Sequence, residues 1–163
     1  MTAELFWDKR LDVLYGYWLE KKGGRAAPTR ADFNPAEIKP FLPIVNFLDV
    51  QWEPPGFRHR LVGTEIVEHL GRDATGRWVD ADLYGQSAGR IFESLLQVAH
   101  EARPYRRRSP MNWHPRSWLT MESIELPLVD ESGRVNMILR GVSYSSPKNP
   151  PPDHYLVAPL PSH

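Results

Sequence analysis

Phe57–Leu83 reads FRHRLVGTEIVEHLGRDATGRWVDADL, and its change of period decides the fold. Over Phe57–Gly63 the residues alternate as in a β-strand, with Phe57, His59 and Leu61 on one face and Arg58, Arg60 and Val62 on the other. After Gly63 the pattern turns helical, breaks at Gly71 and Gly76, and resumes at Trp78. Glycine supplies the backbone freedom that tight helix-to-helix turns require. A strand followed by short helical turns is a way to wall one side of a pocket.

Working outward, Ile44–Val50 (IVNFLDV) is a second strand by its β-branched and aromatic content. The turn Glu53–Gly56 joins it to Phe57–Gly63 as an antiparallel hairpin. Downstream, SAGRIFESLLQVAHEARP is a helix, with Ser87 as cap, Ile91, Leu95 and Val98 as its core stripe, Phe92 and Leu96 on the flanks and Pro104 at its end. Three strands follow: YRRRSPMNW, SWLTMESIELPLV and GRVNMILRGVSYSS. In the last, Val135, Met137 and Leu139 alternate against Asn136, Ile138 and Arg140, and DESGR before it has hairpin-turn chemistry. Short connections make the sheet antiparallel, so the expected class is α+β: five strands with the helices on one face and a concave inner surface that side chains do not fill.

The N-terminal segment ELFWDKRLDVLYGYWLEKKGGR is an amphipathic helix, because Trp7, Leu11, Leu14 and Trp18 recur at helical spacing and Gly23 and Gly24 stop it. Two readings of that stripe stay open. It packs on the body of its own domain, or it pairs two copies as a homodimer through Trp7, Leu11, Leu14 and Trp18. A one-turn helix is expected at PAEI, capped by Asp32 or Asn34. The expected organisation is a helix over residues 1–24, one domain over 25–146, and an extended or flexible Pro-rich tail over 147–163.

Composition limits the function. The 163 residues suit one domain, and 41% hydrophobic with 25% charged residues is globular. Twenty basic and twenty acidic residues sum to zero, which removes a bulk electrostatic case for nucleic acid or an anionic membrane. No apolar run approaches the ~20 residues of a membrane span, and charges interrupt the N-terminus where a signal peptide needs an apolar core, so a cytoplasmic location is expected. Cysteine is absent, which excludes disulfides, thiolate nucleophiles, iron–sulfur clusters, Cys-based zinc sites and covalent flavin adducts.

Six histidines are scattered without metal-ligand spacing, so no metal site is expected. His100 lies late on the long helix but on the flank shared with Phe92 and Leu96, a rim position. His59 shares its strand face with Phe57 and Leu61 and reads as a core or pocket histidine. Arg106–Arg108, with Trp113 and Trp118 nearby, reads as a solvated edge strand, against a nucleic-acid surface as the alternative. Glu122 and Glu125 point to opposite faces of a strand and form no carboxylate pair. No nucleophile-elbow, P-loop or dinucleotide-binding motif occurs, and His59 with Glu122 is the one acid–base pair available to an enzyme on a cone-like α+β barrel.

The strings LYGYWLEKKGGRAAPTRADFNPAEI, FLPIVNFLDV, PPGFRHRLVGTEIVEHLGRDATGR and LPLVDESGRVNMIL resemble the PAS_5 group of single-domain proteobacterial PAS-like proteins. The resemblance runs from Leu11 to Tyr144, and FRxRLVGTxI followed by GRDxTGR carries it most specifically. It implies a non-enzymatic sensory or protein-interaction domain. It names no ligand, since PAS domains bind haem, flavins, small acids or nothing; haem is not expected here. On that fold the expected pocket wall is His59, Leu61, Ile66, Leu70, Trp78, Ile91, Leu95, Met121, Met137 and Leu139. The expected partners are a second copy, a signalling protein and a small molecule, with neither membrane nor nucleic acid among them, and the N-terminal helix is the expected output surface.

Overall fold

Asp8 accepts a hydrogen bond from the backbone N–H of Arg10 at 2.9 Å and so caps α1 (Lys9–Lys22). The computed structural model of the chain describes residue 6 and residues 8–110, 120–144 and 156–161. After α1, Asn34 caps the single turn α2 (Pro35–Ile38), while Asp32 bonds back to Thr29. The hairpin β1 (Val45–Trp52) and β2 (Pro55–Val62) comes next, then the short helices α3 (Thr64–Leu70) and α4 (Ala81–Tyr84) and the longer α5 (Ala88–Glu101). Ser87 stands at the start of α5 without a side-chain capping bond, because the preceding turn already runs in helical conformation. The chain then adds β3 (Tyr105–Pro110), β4 (Thr120–Val129), β5 (Val135–Tyr144) and β6 (Leu156–Pro159).

These strands form one antiparallel sheet in the order β2-β1-β5-β4-β3-β6. The class is α+β, as the periodicities require. The sixth strand comes from the segment read as tail: Leu156–Pro159 pairs with β3, Leu160 is buried against α1, and the Tyr15 hydroxyl donates to the Pro161 carbonyl. That pairing covers the edge β3 would otherwise expose. Residues 145–155 lie outside the described residues.

The helices do not share one face. α3, α4 and α5 cover one side, where Leu83, Tyr84, Leu95, Val98 and Ala99 pack on Leu48, Phe57 and Ile138. α1 lies on the opposite side, where Leu11, Leu14, Tyr15 and Trp18 pack on Phe47, Ile124, Leu126, Leu128 and Leu139. The Trp18 indole donates to the Pro127 carbonyl at 2.9 Å. The helix presses on Gly141, where a Cβ would stand 2.8 Å from Leu14 Cδ2 and 2.9 Å from Leu11 Cδ2. The stripe is therefore core, and with Leu11, Leu14 and Trp18 wholly buried in one chain it is not available for pairing two copies. Trp7 lies outside the described residues.

The opening stretch behaves as a wall with two seams. Gly63 passes so close to the β1 approach that a Cβ would lie 2.2 Å from the Leu42 carbonyl oxygen, so only glycine fits there. Beyond α3, Gly76–Val79 returns along the free edge of β2: Gly76 donates to the His59 carbonyl at 2.6 Å, and His59 donates to that of Arg77 at 2.9 Å. Among the described residues no helix is long and apolar enough to cross a membrane.

Candidate functional site

Between the sheet and α3–α5 lies a cavity whose apolar wall is Ile66 and Leu70 from α3, Ile91 from α5, Met121 from β4, and Val62 and Val142 from β2 and β5. Its polar wall is Asn46, His59, Tyr84, Arg107, Arg140 and Tyr144, and the exposed Arg90 stands at its mouth. The centre of a water molecule can move through about 30 Å³ of it. That is room for a few waters or a ligand of similar size, against the ~300 Å³ at the small end of drug-sized pockets. A haem or flavin does not enter without the wall opening.

A chain of hydrogen bonds fixes His59. Its Nδ1 lies 3.1 Å from the Asn46 side-chain oxygen and its Nε2 2.8 Å from the Tyr84 hydroxyl. The amide oxygen only accepts, so Nδ1 carries the proton and Nε2 accepts from the tyrosine. Burial, with the charges of Arg140 and Arg77 adding to it, lowers His59 to about 4, so the ring is neutral at physiological pH. Burial also pushes the Tyr84 and Tyr144 hydroxyls above their ordinary range.

Glu125 reaches the same side of the sheet from β4. It is wholly buried, 3.2 Å from Arg107 Nη2 and 3.5 Å from Arg140 Nε, and accepts from the Ser123 hydroxyl at 3.2 Å. Tyr144 closes the far end and stacks on His69 with ring centres 4.5 Å apart. Beyond that stack α1 begins: Arg10 bridges Asp8 at 2.8 Å and Glu65 of α3 at 2.5 Å, and the Ser143 hydroxyl donates to Asp8 at 2.8 Å. One aromatic side chain thus separates the cavity from the junction of α1, α3 and β5.

The PAS domain family model PAS_5 matches residues 8–142. The chain belongs to this PAS family. A sensory box sensor histidine kinase from Vibrio cholerae, known from its crystal structure, is similar with a TM-score of 0.46 and 10% identity over 68% of this chain and 86% of that one. Among curated proteins none matches.

In this PAS domain, His59, Ile66, Leu70, Ile91 and Met121 come together around the cavity. The other residues expected in the wall do not. Leu61 is turned outward by a bulge: Leu48 pairs with His59 and Phe47 with Leu61, which leaves Arg60 as the extra residue and brings Val62 inside. Trp78 is 41% exposed and lies over Gly56 at the sheet edge. Leu95 is buried in the core behind the cavity without lining it. Met137 and Leu139 face α1.

Three other sequence readings are corrected. Arg106, Arg107 and Arg108 are not a solvated edge. Arg107 and Arg108 are buried, and Arg108 donates to Glu122 at 2.7 and 2.9 Å on the α1 side, where Arg106 lies 3.6 Å from Glu122 and over the Phe6 ring. Trp113 and Trp118, its proposed stacking aromatics, lie outside the described residues. His59 faces the cavity while Glu122 faces α1, so the two form no acid–base pair. His100 is exposed and rests edge-on against Trp52, away from the cavity.

Asn46, Tyr84, Arg107, Arg140, Val142 and Tyr144 are site residues that the alternation alone does not find. β5 is buried on both faces, so its pattern cannot say which face is the cavity's. Gly141 carries the missing signal. A glycine inside a strand marks close approach of another element, and here that places 137, 139 and 141 under α1 and 140, 142 and 144 opposite.

Proposed function

We propose that this PAS domain is a non-enzymatic, cytoplasmic sensory module that holds a small ligand between the sheet and α3–α5 and passes its occupancy to a protein partner. The observation that carries the reading is the cavity of mixed polarity, with an apolar wall and a set of polar groups converging on it. The His59–Asn46–Tyr84 chain is satisfied internally and orients the wall without offering a reactive proton. A ligand that moves Tyr144 disturbs its stack on His69 and, through α3, the Glu65–Arg10 bridge to the start of α1. Differential affinity for two positions of that aromatic side chain is what would convert binding into a signal.

The test is native mass spectrometry with an absorbance spectrum of the protein purified under non-denaturing conditions. The expected result is a mass above that of the polypeptide that denaturation removes, without a haem or flavin band. A bare polypeptide mass, together with no response to any member of a fragment library in ligand-observed NMR, would contradict the reading.

A further inference from the structure

The outer face of the hairpin β1–β2, turned away from the cavity, is only partly covered. α1 rests chiefly on β4 and β5. Beside it a groove of about 300 Å³ lies over Phe47 and Met137, walled by Ile38 and Leu42 on one side and by Leu61 of β2 on the other. Leu61 is 38% exposed. The bulge in β2 sets it beside Arg60, and both side chains are exposed. Trp78 lies on the same face. Its ring stands 3.0 Å from where a Cβ of Gly56 would be, and Gly56 points away from the cavity because the next residue, Phe57, points into the core under α5. Leu61 and Trp78 are two of the three large apolar side chains exposed among the described residues. Clustered exposure of this kind marks a contact surface. Its rim is cationic. Arg30 lies over the Phe47 ring at 5.1 Å, and Arg58 donates to the Gly76 carbonyl at 3.0 Å. Neither forms an ion pair among the described residues, whereas Arg60 meets Asp49 at 3.4 Å. Among the described residues no Asp or Glu lines the groove.

We infer that this face docks an acidic amphipathic helix of a partner protein, its apolar stripe on Leu61, Phe47 and Met137 and its carboxylates against Arg30, Arg58 and Arg60. The inference names a surface for the partner in the reading above and does not require the cavity to hold a ligand. Charge complementarity selects the occupant. Three arginines against one Asp49 favour an acidic chain, and two copies meeting through this face would oppose like charges. An arriving β-strand is excluded because the free edge of β2 is already taken: Gly76 and Val79 donate to the carbonyls of His59 and Phe57. A partner must therefore read side chains on the face, as α1 does on β4 and β5. Two strands present a face about 10 Å wide, which matches the diameter of one helix, about 10 Å. Trp and Arg at its border are the residue types that anchor such interfaces.

The experiment titrates the full chain, followed by methyl and indole NMR, with three blocked helical peptides of about 18 residues. One carries leucines at helical spacing with glutamates on the flanks, one has the same composition scrambled, and one has lysine in place of each glutamate. The first is expected to shift Leu61, Met137, Ile38 and the Trp78 indole while leaving Ile66 and Ile91 of the cavity in place. It is expected to bind at least about tenfold tighter than the other two and to weaken as sodium chloride is raised. Leu61→Ser, and separately Arg30→Gln with Arg60→Gln, are each expected to weaken it at least about fivefold; all three side chains are exposed, and the peptide comparison stands even if a variant does not fold. Equal binding of the lysine peptide overturns the acidic partner, and equal binding of the scrambled one overturns the helix. Shifts elsewhere, or no binding by the first peptide, overturn the docking surface while leaving the ligand reading intact. A dimer in sedimentation that Leu61→Ser dissociates would make a second copy the occupant and overturn the inference.

Discussion

His59 makes the stability of the domain sensitive to acid in a calculable direction. An unfolded histidine takes up its proton near 6.5, whereas the folded one resists until about 4. Between those values the unfolded chain binds more protons, so stability is retained above pH 6.5 and falls as the pH drops toward 4, by roughly 3 kcal/mol for this residue. His59→Gln keeps a donor and an acceptor but does not titrate. Urea unfolding of that variant is expected to lose less stability than the parent between pH 6.5 and 4, and equal losses would contradict the assignment. Two glycines give opposite signs in the same assay. Gly141→Ala drives a methyl into Leu11 and Leu14 and is expected to cost about 1–3 kcal/mol. Gly16→Ala meets open space in the interior of α1 and is expected to add about 0.5–1 kcal/mol through helix propensity.

At the scale of elements, α1 is the piece whose role the sequence left open between two readings. Its stripe has the same spacing whether it meets a sheet of its own chain or a second copy, because periodicity reports that a face is buried and not by what. The buried Leu11, Leu14 and Trp18 and the indole bond to Pro127 decide for its own sheet. Introducing charge as Leu11→Glu with Trp18→Glu should therefore abolish cooperative unfolding and the near-ultraviolet circular dichroism. A folded monomer with native spectra would show that the helix is an appendage after all. Other misses have equally local causes. The alternation of Phe57, His59 and Leu61 reads as unbroken, yet the bulge at Arg60 reverses every side chain after it. Leu156–Pro159 is too short and too close to prolines to stand out as a strand, and its partner β3 lies about fifty residues upstream.

For the whole molecule, what the sequence made legible was the order of elements, the antiparallel pairing and the PAS resemblance that the family match bears out. Half of the expected wall was legible too, where strand or helix parity held: His59, Ile66, Leu70, Ile91 and Met121. What could not be read was the third layer. With α1 on one face and α3–α5 on the other, β4 and β5 are buried on both sides, and a strand apolar on both faces does not label its cavity side. The arginines were misread for the same reason, since a charged strand suggests solvent until the buried glutamates opposite it are known. A sheet with two covered faces separates the cavity from the α1 core, and that separation makes the ligand account testable in one spectrum. Methyl NMR of the chain titrated with a bound small molecule should shift Ile66, Leu70, Ile91, Met121 and Val142 first, with Leu11, Leu14, Leu126 and Leu139 moving little. Shifts confined to the α1 side, or none at any methyl, would contradict the claim that the space between the sheet and α3–α5 is the sensing site.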